Sequence, residues 1–183
     1  LREFLIDPVR DLNLRARAYG VRYPEEARGI LAEASIGYGG WIPNYRVPAV
    51  MAGYKATVHI PRRPYTEALP GIPTIRVFEA LACGIPLVSA WTEDIEGLFE
   101  PGRDFLTAAN GAEAKRMLRA VIGDPAQRAF LAANGLKTIL SRHTCRHRAD
   151  ELLAIYGEME GVKRHRVKGA EAGCRTVPGV QPR

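Results

Sequence analysis

The chain of 183 residues is long enough to bury a core without disulfide staples, and its length predicts one domain. With 46% hydrophobic and 25% charged residues it is ordinary globular material, which excludes collagen-like, coiled-coil and wholly disordered classes. The formal charge of +6 points toward nucleic acid only until it is located: residues 161–183 hold six Lys or Arg against one acidic residue, while 1–160 hold twenty against nineteen.

In chain order, Arg2 to Leu12 carries a helical stripe of Phe4, Leu5, Val9 and Leu12, interrupted by Pro8. Leu14 to Tyr19 alternates as a short strand. Pro24 to Ala34 opens with proline and two glutamates, as a helix should, and sets Ala27, Ile30, Leu31 and Ala34 on one face. A strand near Ile36 to Tyr38 ends in Gly39-Gly40-Trp41. Asn44 is a candidate cap for a helix over Tyr45 to Tyr54, and the β-branched Ala56 to Ile60 follows as a strand. Pro61 to Gly71 reads as loop, Thr74 to Ala82 as a helix closed by Gly84, and Pro86 to Ala90 as a buried strand. Gly102 to Leu106 is predicted as a further strand. Three helices follow, over Ala112 to Ile122, Pro125 to Ser141 and Thr144 to Met159, the last capped by Thr144. Beyond Gly161 periodicity stops, so residues 161–183 read as a disordered basic tail behind a domain of residues 1–160.

Strands separated by helices at these spacings predict an α/β fold, a Rossmann-like parallel sheet with helices on both faces, ending in a helical segment. Such sheets bind ligands at the carboxyl ends of their strands. The loops to watch are therefore those of Gly39 to Trp41, Pro61 to Pro73 and Trp91 to Glu96. No stretch reaches the ~18 apolar residues of a membrane span, and no signal-peptide pattern opens the chain. Cys83, Cys145 and Cys174 are an odd, scattered set that makes a poor disulfide framework, which fits a reducing cytoplasm; Cys83 reads as a small buried residue. The first residue is Leu1, inside a helical pattern, so a preceding portion is expected to be missing.

Arg62 and Arg63 follow the third strand, and the next helix opens at Thr74-Ile75-Arg76 with Glu79 a little over one turn in. Free amides at a helix N-terminus together with guanidinium groups suit a phosphate, and a carboxylate beside that phosphate suits ribose hydroxyls. The same residues also fit a solvated turn and an acidic side chain favoured by the helix dipole. His143, Cys145 and His147 lie in an H-x-C-x-H string, but the cysteine at i+2 points away from the shared face of the histidines and no further ligand is near. Arg142, Arg146 and Arg148 around them fit a solvated rim or contacts to a missing lobe. Glu93, Asp94 and Glu96 fit a solvated helix start; Trp41 and Trp91 fit a base or sugar pocket, Trp91 equally the core. No Walker or G-x-S-x-G string is present.

The string Gly71-Ile72-Pro73-Thr74-Ile75-Arg76-Val77-Phe78-Glu79-Ala80-Leu81-Ala82-Cys83-Gly84-Ile85-Pro86-Leu87-Val88 resembles the signature of retaining GT-B glycosyltransferases, chiefly from Glu79 onward. Gly40-Trp41-Ile42, the strand Ala56 to Ile60 running into Pro61, Gly102 to Leu106, and His143-Thr144-Cys145 before a helix resemble further segments of that family. Pro61-Arg62-Arg63-Pro64-Tyr65 and Arg142-His143-Thr144 resemble its CgeB-type, spore-protein-like branch. The likeness runs from about Leu1 to about Tyr156 and covers one lobe, short of its first strand.

The resemblance implies that Glu79 binds the ribose hydroxyls of a nucleotide-sugar and that Thr74, Ile75 and Arg76 offer backbone amides to the diphosphate. It places Gly40 and Trp41 beside the nucleobase, and Arg62 and Arg63 where phosphate charge is neutralised. The family's first glutamate, which holds the donor sugar eight residues before Glu79, is here Gly71. The resemblance thus implies a C-terminal, nucleotide-sugar-binding lobe for glycosyl transfer with no metal or other cofactor, completed by a missing N-terminal acceptor lobe and inactive in transfer by itself. The alternative is a non-catalytic nucleotide-binding or docking module. Nucleic acid is not expected as a partner, because the globular part is nearly neutral.

Overall fold

The computed structural model describes residues 1–62, 67, 71–91, 94 and 96–171, with side chains of the last helix through Met159. Residues 1–141 form one compact unit and 142–183 a second. The elements of the first unit alternate in the α/β manner predicted. A π-helical turn Arg2–Ile6 runs into α1 (Asp7–Asp11), with Pro8 in its first turn, where a missing N–H costs nothing. Then come β1 (Arg17–Ala18), α2 (Glu25–Glu33), β2 (Gly37–Tyr38), a 3₁₀ turn Asn44–Arg46 leading into α3 (Val47–Met51), and β3 (Thr57–His59). After these follow α4 (Ile75–Ala82), β4 (Leu87–Ala90), β5 (Leu106–Ala108), α5 (Gly111–Gly123) and α6 (Pro125–Arg142). The second unit carries α7 (Cys145–Glu171).

Among the described residues the strand pairs are parallel, in two ladders: β1 with β2, and β3–β4–β5 with β4 in the middle. Strand β4 is buried at Leu87, Val88 and Ser89, as its unbroken apolar run requires of a strand covered on both faces. Helix α4 buries Val77, Ala80 and Leu81 and leaves Arg76 exposed and Glu79 half-buried on its other face. That apolar stripe joins Ile85, Leu87, Phe99, Phe105 and Ile139 in one core cluster, in which Phe99 meets Phe78 and Phe105 edge-on at 5.0 and 5.8 Å between centroids. A second cluster gathers Ile6, Val9, Leu31, Ala34 and Ile36 under the β1–β2 ladder.

Three local expectations are corrected. Asn44 does not cap a helix; it starts the 3₁₀ turn after Pro43, and its side chain accepts no capping bond. The strand expected over Gly102 to Leu106 begins only at Leu106, because Gly102 sits at φ +88° and Asp104 is a buried turn residue that accepts from the Glu100 amide at 3.0 Å and from Thr138 Oγ1 at 2.9 Å. Cys83 is half-buried rather than sealed in the core.

Candidate functional site

The carboxyl end of β3 is where the sequence places its basic loop, and α4 returns to that same edge. The link is a hydrogen bond: Thr74 Oγ1, at the N-cap position of α4, lies 2.8 Å from Nε2 of His59, the last residue of β3. His59 Nδ1 in turn lies 3.0 Å from Ser89 Oγ, its register partner on β4. The first turn of α4 is therefore fixed against two strands of the sheet at their carboxyl ends, the position at which an open parallel sheet takes its ligand.

The Thr74 side chain does not cap α4; the Val77 amide donates to the Thr74 carbonyl at 3.1 Å, and among the described residues the amides of Ile75 and Arg76 find no acceptor. Ile75 is exposed there, and Arg76 projects beside it. Arg76 Nη1 binds Glu79 Oε2 at 2.5 Å, one turn along the same face. His59 is 8% exposed; its burial, and then the nearby Arg76 guanidinium, hold its pKa below the ordinary 6.5. Cys83, one turn beyond Glu79, has its thiol pKa raised by burial and by the Glu79 carboxylate.

Thr74, Ile75, Arg76 and Glu79 thus share one helix end. Arg62 lies exposed three residues past the end of β3, and Arg63 lies outside the described residues, as does Glu93. Gly40 and Trp41 stand instead at the end of the β1–β2 ladder, where the Gly20 amide donates to the Gly40 carbonyl at 2.9 Å. Gly40 has φ +65° and Trp41 is 69% exposed. The neighbouring Gly39 has a packing reason, since a Cβ there would come within 2.3 Å of the Tyr19 ring. Trp91, for which core packing was the alternative, is exposed, its amide bonded to the Ala108 carbonyl at 2.8 Å. Asp94 Oδ2 accepts from the Phe99 amide at 2.9 Å. Gly71 is buried with φ +82°, a backbone state that favours glycine and disfavours the glutamate of the GT-B pattern.

In the second unit, Thr144 stands just before α7; its amide donates to His147 Nδ1 at 3.3 Å, and its Oγ1 lies 2.7 Å from the same nitrogen. This ties His147 to the helix start in the manner of a capping box. Among the described residues no group of three or more His, Cys, Asp or Glu is placed to hold a metal ion, and no helix is long and apolar enough to cross a membrane.

A family model described as glycosyl transferase-like matches residues 2–154. The chain belongs to that glycosyl transferase-like family. Comparison with curated proteins finds no match. Among solved structures, Anabaena HepE in complex with UDP superposes with a TM-score of 0.69 at 18% identity, over 86% of this chain and 45% of HepE. Sucrose-phosphate synthase from Thermosynechococcus elongatus gives 0.72 at 17% identity, over 87% of this chain and 42% of the synthase. The C-terminal domain of the Francisella tularensis glycosyl transferase LpcC gives 0.59 at 14% identity, over 78% and 79%. At these identities the likeness establishes the fold, that of a GT-B lobe. The chain spans less than half the length of HepE and of the synthase.

His59 and Ser89 carry no signal in the sequence reading beyond their strands. A histidine ending a buried strand beside a helix N-terminus is the pattern that would have singled them out.

Proposed function

We propose that this chain is the donor-binding lobe of a GT-B glycosyltransferase of the CgeB-type branch, holding a nucleotide-diphosphate sugar for transfer without a metal once an acceptor lobe joins it. The observation that carries the reading is the end of α4: uncapped amides at Ile75 and Arg76, with the Glu79 carboxylate one turn inside on the same face. The amides and the helix dipole receive the diphosphate. Glu79 accepts hydrogen bonds from the ribose hydroxyls, and Arg62, Arg63 and Arg76 meet the charge that grows on the leaving phosphate. Gly40 and Trp41 lie toward the nucleobase. HepE, crystallised with UDP, supports a nucleoside diphosphate as the ligand class. The reducing compartment expected from the cysteines makes the cytoplasm the site of action.

Gly71 favours a second reading, a lobe that binds the nucleotide without gripping a sugar, because its φ of +82° stands where the family's sugar-holding glutamate would be. Calorimetric titration of the chain with UDP, GDP and their sugars tests both. A sugar that tightens binding over the bare diphosphate supports the enzyme lobe, and equal affinity supports the nucleotide module. No heat with any nucleotide overturns the donor-site assignment.

A further inference from the structure

Beneath the first turn of α4, Thr74, His59 and Ser89 form a continuous hydrogen-bonded chain drawn from three elements. Its direction is set at the far end. Ser89 donates its hydroxyl hydrogen to the Ala90 carbonyl, 2.9 Å away, so toward His59 it can only accept, and His59 Nδ1 carries a hydrogen. A neutral imidazole has one bare nitrogen, here Nε2, which must accept the Thr74 hydroxyl hydrogen. Burial and Arg76 both favour that neutral form. The described strand residues packed around the ring, Thr57 to His59 and Leu87 to Ala90, bring no further charge, and on α4 Glu79 is held by Arg76.

The consequence reaches the helix end. Thr74 stands at the N-cap, but its hydroxyl oxygen accepts from no amide of α4, and its hydrogen is turned inward to His59. Outward it offers only lone pairs. A phosphate approaching the amides of Ile75 and Arg76 would meet an oxygen with no hydrogen beside them.

We propose that His59 is a positioning residue that takes up one proton when a diphosphate binds at α4, so that Thr74 turns its hydroxyl hydrogen from His59 to the phosphate. This rests on the donor-site reading given above. The step balances. A proton from solvent binds the lone pair of Nε2, giving an imidazolium whose two N–H groups donate to Ser89 Oγ and Thr74 Oγ1. The Thr74 hydrogen moves by rotation about the Cβ–Oγ bond, and no covalent bond to oxygen breaks. Burial, and then repulsion by Arg76, hold the free histidine neutral; the negative charge of the ligand opposes both by attracting the imidazolium.

The test follows the His59 ring nitrogens of the full chain by 15N NMR near pH 7, free and saturated with UDP. The expected free state has hydrogen on Nδ1 and a bare Nε2; the expected complex has hydrogen on both. In parallel, UDP affinity should fall as pH rises through the range in which the bound histidine titrates. Thr74→Val should weaken UDP roughly tenfold and leave the bound histidine neutral, while Thr74→Ser restores both. UDP binding with a neutral His59 in the complex overturns the relay and leaves the donor site standing. Failure of UDP and GDP alike to bind removes the donor-site reading and the relay together.

Discussion

Arg76 and Glu79 lie one turn apart on the outer face of α4 and form an ion pair of 2.5 Å, with 64% and 30% of their side chains exposed. An exposed pair of this kind contributes ~0–1 kcal/mol to stability. Its consequence for the site is larger, because Arg76 fixes the carboxylate beside the open amides. Glu79→Ala should therefore leave the denaturation midpoint within about 0.5 kcal/mol of the parent. The same change should weaken UDP roughly tenfold or more, since hydrogen bonds to a charged group contribute about 1.5–3 kcal/mol. Titration calorimetry beside a urea melt checks this. Equal losses in both would make Glu79 part of the scaffold.

The elements that period and punctuation mark were legible in the sequence. Thr74 to Ala82 reads as a helix because Val77, Ala80 and Leu81 recur at helical spacing and Gly84 closes it, and α4 runs Ile75–Ala82 with Gly84 at φ +64°. What was not legible depends on register. His59 and Ser89 are 30 residues apart in the chain, and only the parallel pairing of β3 with β4 sets them side by side. The expected strand at Gly102 failed for a related reason. Its apolar residues, Phe105 and Leu106, pattern as strand, but the buried Asp104 carboxylate is spent on holding a turn, and its partner Thr138 comes from a helix far along the chain.

Gly71, where the resemblance to GT-B enzymes would put a glutamate, has a backbone that favours glycine. Gly71→Glu would place a β-carbon at φ +82° and a carboxylate in a buried position. The left-handed backbone alone costs about 1–2 kcal/mol for a residue with a side chain. The expected result is a clear fall in melting temperature with no gain of sugar binding. A variant of unchanged stability that prefers a UDP-sugar over UDP would show that the loop accepts the glutamate.

The packing of α6 on α4 tolerates no side chain at Gly135. A Cβ there would stand 2.7 Å from Leu81 Cδ2 and 2.9 Å from the Asp104 carbonyl oxygen. Gly135→Ala should thus cost about 1–3 kcal/mol, the usual penalty of overpacking a core. Thr138→Val, one turn on, removes a donor to the buried Asp104 carboxylate and should cost about 1–3 kcal/mol by leaving that oxygen short of a partner. Urea midpoints of the two variants check both figures. An unchanged Gly135→Ala midpoint would mean that α6 can back away from the sheet.

Acid should destabilise the free protein through His59. Its folded pKa lies below the ordinary 6.5, so between the folded and unfolded values the unfolded chain binds more protons than the folded one. Stability is complete above about pH 6.5 and declines as the pH falls from there toward the folded value, at most ~1.4 kcal/mol per pH unit for one group. His59→Gln keeps a polar side chain but no titration, and should flatten this part of the curve, measured as melting temperature from pH 7.5 down to 5.5. Saturating UDP should flatten it as well, if the bound histidine is already protonated. A wild-type slope that survives unchanged in His59→Gln would assign the acid sensitivity to other groups and leave the buried imidazole out of it.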